Sequence, residues 1–191
     1  MTALLSQSWL TARGLAGGLL LASSALVTAG ILMFTWRVFL HAPVGARPGY
    51  FQWERGLVAG GFLGLALGLT ALKSLLSQAG DPLLADVGLT AYGLAAVLLT
   101  VGEMAWLTAA GLPDGLVGAL IRVFVVLSFL GQAAFGVAIL HTGLLPAWLG
   151  WTTVIWSLGW LALMFRAGDP YYPFMHLELP LLAGIWLLVN R

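Results

Sequence analysis

Apolar residues run along this chain in long, nearly unbroken blocks, and polar positions gather in short interruptions between them. Six blocks stand out, at roughly 14–36, 55–77, 83–108, 115–141, 146–166 and 174–190. A helix crossing about 30 Å of hydrocarbon needs about 20 mostly apolar residues. All six blocks qualify, the last of them short. Each is apolar on all faces, whereas a membrane β-barrel would show alternating segments of about ten residues. The pattern predicts an all-α fold, a single polytopic membrane bundle over 1–191 with six transmembrane helices and both termini on one side.

The interruptions carry chain-stopping chemistry. "HAPVGARPGYFQWER" has two prolines and two glycines, and "SQAGDP" places Gly80 before Asp81 and Pro82, a helix stop followed by a restart. "AAGLPDG" reads as a tight helical hairpin, "HTGLLP" puts Gly143 after the fourth helix, and "RAGDPYYP" ends the fifth. No linker is long enough to divide the chain into domains. The first apolar run continues to Phe34, longer than a signal peptide's core of about 7–15 residues, so it is predicted to be a retained membrane helix.

Composition strengthens this picture. The 191 residues are 61% hydrophobic and only 8% charged, against about 25% charged in soluble domains. A chain this apolar cannot cover a soluble globule with polar surface. Net charge is +1, with no basic patch for nucleic acid. The absence of cysteine excludes disulfides, thiolate metal sites and iron–sulfur clusters. Orientation stays open. Arg37, Arg47, Arg55 and Arg166 lie on the odd-loop side, against Arg13, Lys73 and Arg191 on the termini side. Trp36, Trp53, Trp106, Trp148, Trp151 and Trp186 fall near helix ends, as interfacial belts require. Trp156 and Trp160 sit deeper, for core or lipid contact or as an aromatic platform for a pigment or quinone.

"GLVAGGFLGLALG" repeats glycine every fourth residue, at Gly56, Gly60, Gly64 and Gly68. In lipid, helices associate through close contact of small residues. This stripe is therefore a candidate packing face, for the first helix through Gly14, Gly18 and Ala22, for a partner protein, or for a flat hydrophobic ligand.

Charges inside apolar blocks cost about 2.5–3.5 kcal/mol at mid-helix and call for an explanation. Glu103 in the third helix and Arg122 in the fourth lie at similar distances from the intervening turn near Leu112. Similar depth predicts an ion pair, as a structural clasp or as a ligand site. His176 and Glu178 open the last helix and are expected on the same side as that turn. With His41, Tyr50, Gln52, Glu54, Tyr171 and Tyr172 they would form a polar mouth.

Only His41, His141 and His176 exist, and His141 is expected on the opposite side, which disfavours a bis-histidine haem. His41, His176 and Glu178 have zinc-ligand types, without a motif that fixes geometry. No HExxH, GxSxG or phosphate-binding loop is present. A bound lipid, quinone or pigment remains open as a cofactor.

The last third carries a further pattern. Leu145, Pro146, Trp148 and Leu149 form a Leu-Pro-x-Trp-Leu turn before the fifth helix. Leu179 and Pro180 lead into a final helix with Ala183, Trp186 and Leu187. This resembles an uncharacterised family of small bacterial membrane proteins of about six helices, a domain of unknown function. The family's Arg-x-x-Glu pattern in the third helix is missing, and Glu178 precedes Pro180 rather than following it. The resemblance implies the fold and no activity.

Abundant packing motifs, small loops and the lack of a catalytic motif favour an accessory subunit docked in the lipid phase on a larger membrane complex of a bacterial cytoplasmic membrane. The alternative is a small transporter or receptor for a hydrophobic or amphipathic ligand, with a polar interior site. A lipid-modifying enzyme comes third.

Overall fold

The computed structural model describes residues 2–41, 47–105, 107, 114–167 and 173–190. They form six helices: α1 (Thr2–Phe39), α2 (Pro48–Gln78), α3 (Pro82–Ala105), α4 (Asp114–Thr142), α5 (Ala147–Ala167) and α6 (Glu178–Val189). A 3-10 turn, Pro173–His176, precedes α6. Five are long and apolar enough to cross a membrane: Thr11–Phe39, Pro48–Gln78, Pro82–Ala105, Gly115–Thr142 and Ala147–Arg166. The chain is a multi-pass helical membrane protein.

The breaks at Gly80 and Gly143 act as their residues dictate, whereas those expected at "AAGLPDG" and "RAGDPYYP" fall largely outside the described residues. Gly80 and Gly143 both take positive φ, +115° and +62°, a conformation that costs glycine little. Asp81 Oδ1 accepts from the Leu84 amide at 3.0 Å and caps α3. The α2 boundary differs from the predicted 55. Pro48 starts the helix, where its missing N–H costs nothing. The charges of Glu54 and Arg55 are absorbed by partners rather than left in a loop.

The sixth block differs most. A 3-10 turn and a 12-residue helix replace one continuous span, and 12 residues rise only about 18 Å. The helices follow one another around a ring, α6–α1–α2–α3–α4–α5, and α5 touches α6 only lightly. The turn before α6 is tucked inside that ring. His176 packs on Phe62 and Ser128, near the midpoints of α2 and α4.

Reciprocal glycine pairs hold neighbouring helices backbone to backbone. A Cβ on Gly131 would lie 2.8 Å from Gly88 O (α4–α3), and one on Gly136 2.9 Å from Gly150 O (α4–α5). A Cβ on Gly17 would lie 3.0 Å from Gly184 O (α1–α6). The predicted glycine stripe is half used. Gly64 and Gly68 meet Ser23 and Leu20 of α1, joined by Gly61 against Val27. Gly56 and Gly60 are exposed, with open space where a Cβ would go. A four-residue spacing drifts about 40° per step on a helix of 3.6 residues per turn, so Gly56 points about 120° from Gly68. On α1 the matching face is Leu20, Ser23, Val27 and Gly30 rather than Gly18 and Ala22; Gly18 meets open space and Ala22 is exposed.

Candidate functional site

Most buried polar side chains fall in two separate sets, with Ser23, Ser24 and Tyr92 apart from both. The first lies at one end of the bundle. Arg37, in the last turn of α1, donates twice to Glu54 of α2, from Nε at 2.7 Å and from a terminal nitrogen at 2.9 Å. Arg55 Nε approaches Glu54 Oε1 at 3.4 Å, and its terminal nitrogen donates to Glu103 Oε2 of α3 at 2.7 Å. Two cations and two anions thus alternate across three helices. Both guanidiniums also lie over the rings of Phe34 and Phe51, at 5.1–5.8 Å from the centroids. Tyr50 closes this end by donating to Met33 O at 2.8 Å.

The expected Glu103–Arg122 pair is therefore replaced by Glu103–Arg55. Equal depth along a hairpin does not set which way a side chain points around its helix. Glu103 faces α2, and Arg122 is on an exposed face of α4. Glu54, expected at a wet mouth, is 1% exposed.

The second set is central. His176 is fully buried, stacked on Phe129 at 4.5 Å and flanked by Phe124 and Phe62 at 4.9 and 5.8 Å. Its Nδ1 lies 3.1 Å from Ser128 Oγ, which itself donates to Val125 O at 3.0 Å. One turn along α4, Gln132 Nε2 donates to His176 O at 3.4 Å. On α5, Thr153 donates to Glu178 Oε1 at 3.3 Å, and Trp156 Nε1 to Met175 O at 2.7 Å. A Cβ on Gly136 would lie 3.2 Å from Thr153 Cβ. In this antiparallel pair, Gln132 and Ser157 therefore stand at one level, one turn on from Gly136 and Thr153.

The result is a polar column inside an apolar bundle: Glu178 with Thr153, then Gln132 with Ser157, then Ser128 with His176. Ser128, Gln132, Thr153 and Ser157 are each fully buried. Gln132 Oε1, Ser157 Oγ and Glu178 Oε2 are buried without a hydrogen-bond partner among the described residues. Each such atom left unsatisfied costs about 1–3 kcal/mol. Glu178 also opens α6, where the helix dipole favours an anion.

His176 and Glu178 are thus interior groups, apart from Glu103, rather than parts of one mouth. The segment before α6 descends into the ring because α6 is too short to span. His41 is exposed past the end of α1, so His41, His176 and Glu178 are not assembled as a metal set. Tyr171, Tyr172 and Trp106 lie outside the described residues. His141, as expected, is at the opposite end from the Glu103 set, 3.1 Å from Asp81. Ser128, Gln132, Thr153 and Ser157 escaped the sequence reading. Their signal was present: "SFLGQ" and "TVIWS" each place two polar residues four apart, on one face of an apolar helix.

Along the outward face of α5, Trp148, Trp151, Ile155, Trp156, Trp160 and Leu163 line a groove of about 700 Å³. Trp156 and Trp160 meet edge to face at 5.7 Å, and Trp148 meets Trp186 of α6 at 6.4 Å.

No family model, curated protein or solved structure matches this chain.

Proposed function

We propose that this chain is a receptor or transporter for a small hydrophobic or amphipathic ligand, resident in a bacterial cytoplasmic membrane. It holds the ligand's polar group in the column between α4, α5 and the start of α6. The observation that carries this reading is the set of fully buried polar side chains at mid-bundle with hydrogen-bonding atoms left over. Ionisable and polar groups are expensive at this depth and mark functional sites. The charged chain Arg37–Glu54–Arg55–Glu103 is the structural clasp in this scheme, because each charge in it has a partner.

Both termini share a side of the membrane under this proposal. α6 rises from the middle of the ring with Gly184 beside Gly17, so it runs back toward the end where α1 begins.

The test is purification in mild detergent from the native membrane, with mass spectrometry of all proteins and small molecules that accompany the chain. A defined lipid, quinone or pigment that is lost in Gln132→Leu supports the receptor. A lone chain without any small molecule counts against it.

The accessory-subunit reading is favoured by one observation, the exposed tryptophan face of α5. A stoichiometric protein partner released by Trp151→Ala and Ile155→Ala would establish that role.

A further inference from the structure

The hydrogen-bond inventory of the column narrows the ligand's chemistry. Its engaged donors all serve protein acceptors: Thr153 serves Glu178, Gln132 Nε2 serves His176 O, and Trp156 serves Met175 O. Of the unpartnered atoms of Gln132, Ser157 and Glu178, Gln132 Oε1 accepts, Glu178 Oε2 accepts once a cation beside it holds the carboxylate ionised, and Ser157 Oγ does either. No cationic side chain pairs with Glu178 among the described residues, although the buried carboxylates Glu54 and Glu103 both hold arginines and the more exposed Asp86 holds Lys73. A site with acceptors left over and an unpaired carboxylate calls for a ligand that donates hydrogen bonds and carries positive charge.

The geometry points to the column as the binding site for a primary ammonium on an apolar tail, with Glu178, Gln132 and Ser157 as the acceptors of its N–H groups. This inference rests on the receptor reading above and adds the ligand class to it. The ammonium offers three donors to three atoms that lack them. The tail leaves through the seam between α5 and α6, the least packed joint of the ring. Trp156 stands at that seam: it lines the outer groove and is bonded to Met175 beside His176. Neighbouring indoles suit an aliphatic chain near a cation.

The experiment uses the full chain in phosphatidylcholine nanodiscs and radiolabelled dodecylamine, measuring saturable binding. Dodecyltrimethylammonium, dodecanol and dodecanoate serve as competitors. The expected result is saturable binding that weakens about tenfold or more in Glu178→Gln. Ser157→Ala, a milder change, weakens it severalfold. Dodecyltrimethylammonium, which has the charge without N–H donors, competes about tenfold less well than dodecylamine itself. Circular dichroism and thermal unfolding verify that both variants keep the fold. Equal competition by the quaternary ammonium, or binding unchanged in both variants, overturns the assignment. If dodecanol or dodecanoate binds saturably, depends on Gln132 and is not displaced by dodecylamine, the interior site stands and the ammonium class falls. If none of the amphiphiles binds saturably, the ammonium class falls, while a lipid, quinone or pigment that co-purifies with the chain and is lost in Gln132→Leu still upholds the receptor reading.

Discussion

At the scale of single residues, the same side-chain type plays opposite parts depending on its neighbours. Glu103 and Glu178 are both carboxylates in apolar helices, yet Glu103 has a guanidinium at 2.7 Å and Glu178 has a threonine at 3.3 Å. Removing one member of a buried ion pair leaves the other charge unpaired, which costs about 3 kcal/mol or more. Glu103→Gln and Arg55→Gln are each expected to destabilise the protein by about that amount in a detergent unfolding titration. The double variant is expected to be more stable than either single one, because no orphan charge remains. Arg122→Gln, on an exposed face, is expected to lose well under half as much as Arg55→Gln. A double variant as damaged as the sum of the singles would remove the clasp from the account.

At the scale of helices, close approach is set by glycine pairs rather than by a repeat along one helix. Gly136 and Gly150 allow α4 and α5 to touch, and a methyl group at Gly136 would fall 2.8 Å from Val154 Cγ2. Overpacking of this kind costs about 1–3 kcal/mol. Gly136→Ala is expected to unfold earlier by that margin, and to disturb the column because Thr153 is also in contact there. Gly60→Ala enters open space and is expected to change stability by about 0.5 kcal/mol or less. A stable Gly136→Ala protein alongside an unstable Gly60→Ala protein would reverse the assignment of the packing faces.

At the scale of the whole molecule, the consequential feature is the incomplete sixth span. α6 covers roughly half the hydrocarbon thickness, so the turn before it supplies backbone groups at mid-bundle. Irregular backbone at such depth is tolerated where protein surrounds it. Here His176 O and Met175 O accept from Gln132 and Trp156. The topology has a direct check, because the chain contains no cysteine to confuse labelling. Ser6→Cys and Asn190→Cys are expected to react with an impermeant maleimide from the same side of sealed vesicles, and Leu40→Cys from the other. Opposite labelling of Ser6→Cys and Asn190→Cys would rule out the shared side of the termini.

Hydropathy alone determined the class, the number of helical blocks and most of the breaks. A run of about 20 apolar residues has one low-energy state in lipid, and glycine, proline and aspartate stop helices through local backbone chemistry. The breaks at Gly80 and Gly143 were legible for that reason. What remained hidden was rotation about helix axes and the use of short segments. Matched depth suggested Arg122 for Glu103, but azimuth chose Arg55. The glycine stripe identified the right helix and only half of its contact face. Polar pairs such as Ser128 with Gln132 looked incidental until α5 and the 3-10 turn brought Thr153, Ser157 and His176 against them. Azimuth and partner choice are decided by all six helices packing at once, and no single stretch of the chain contains that information.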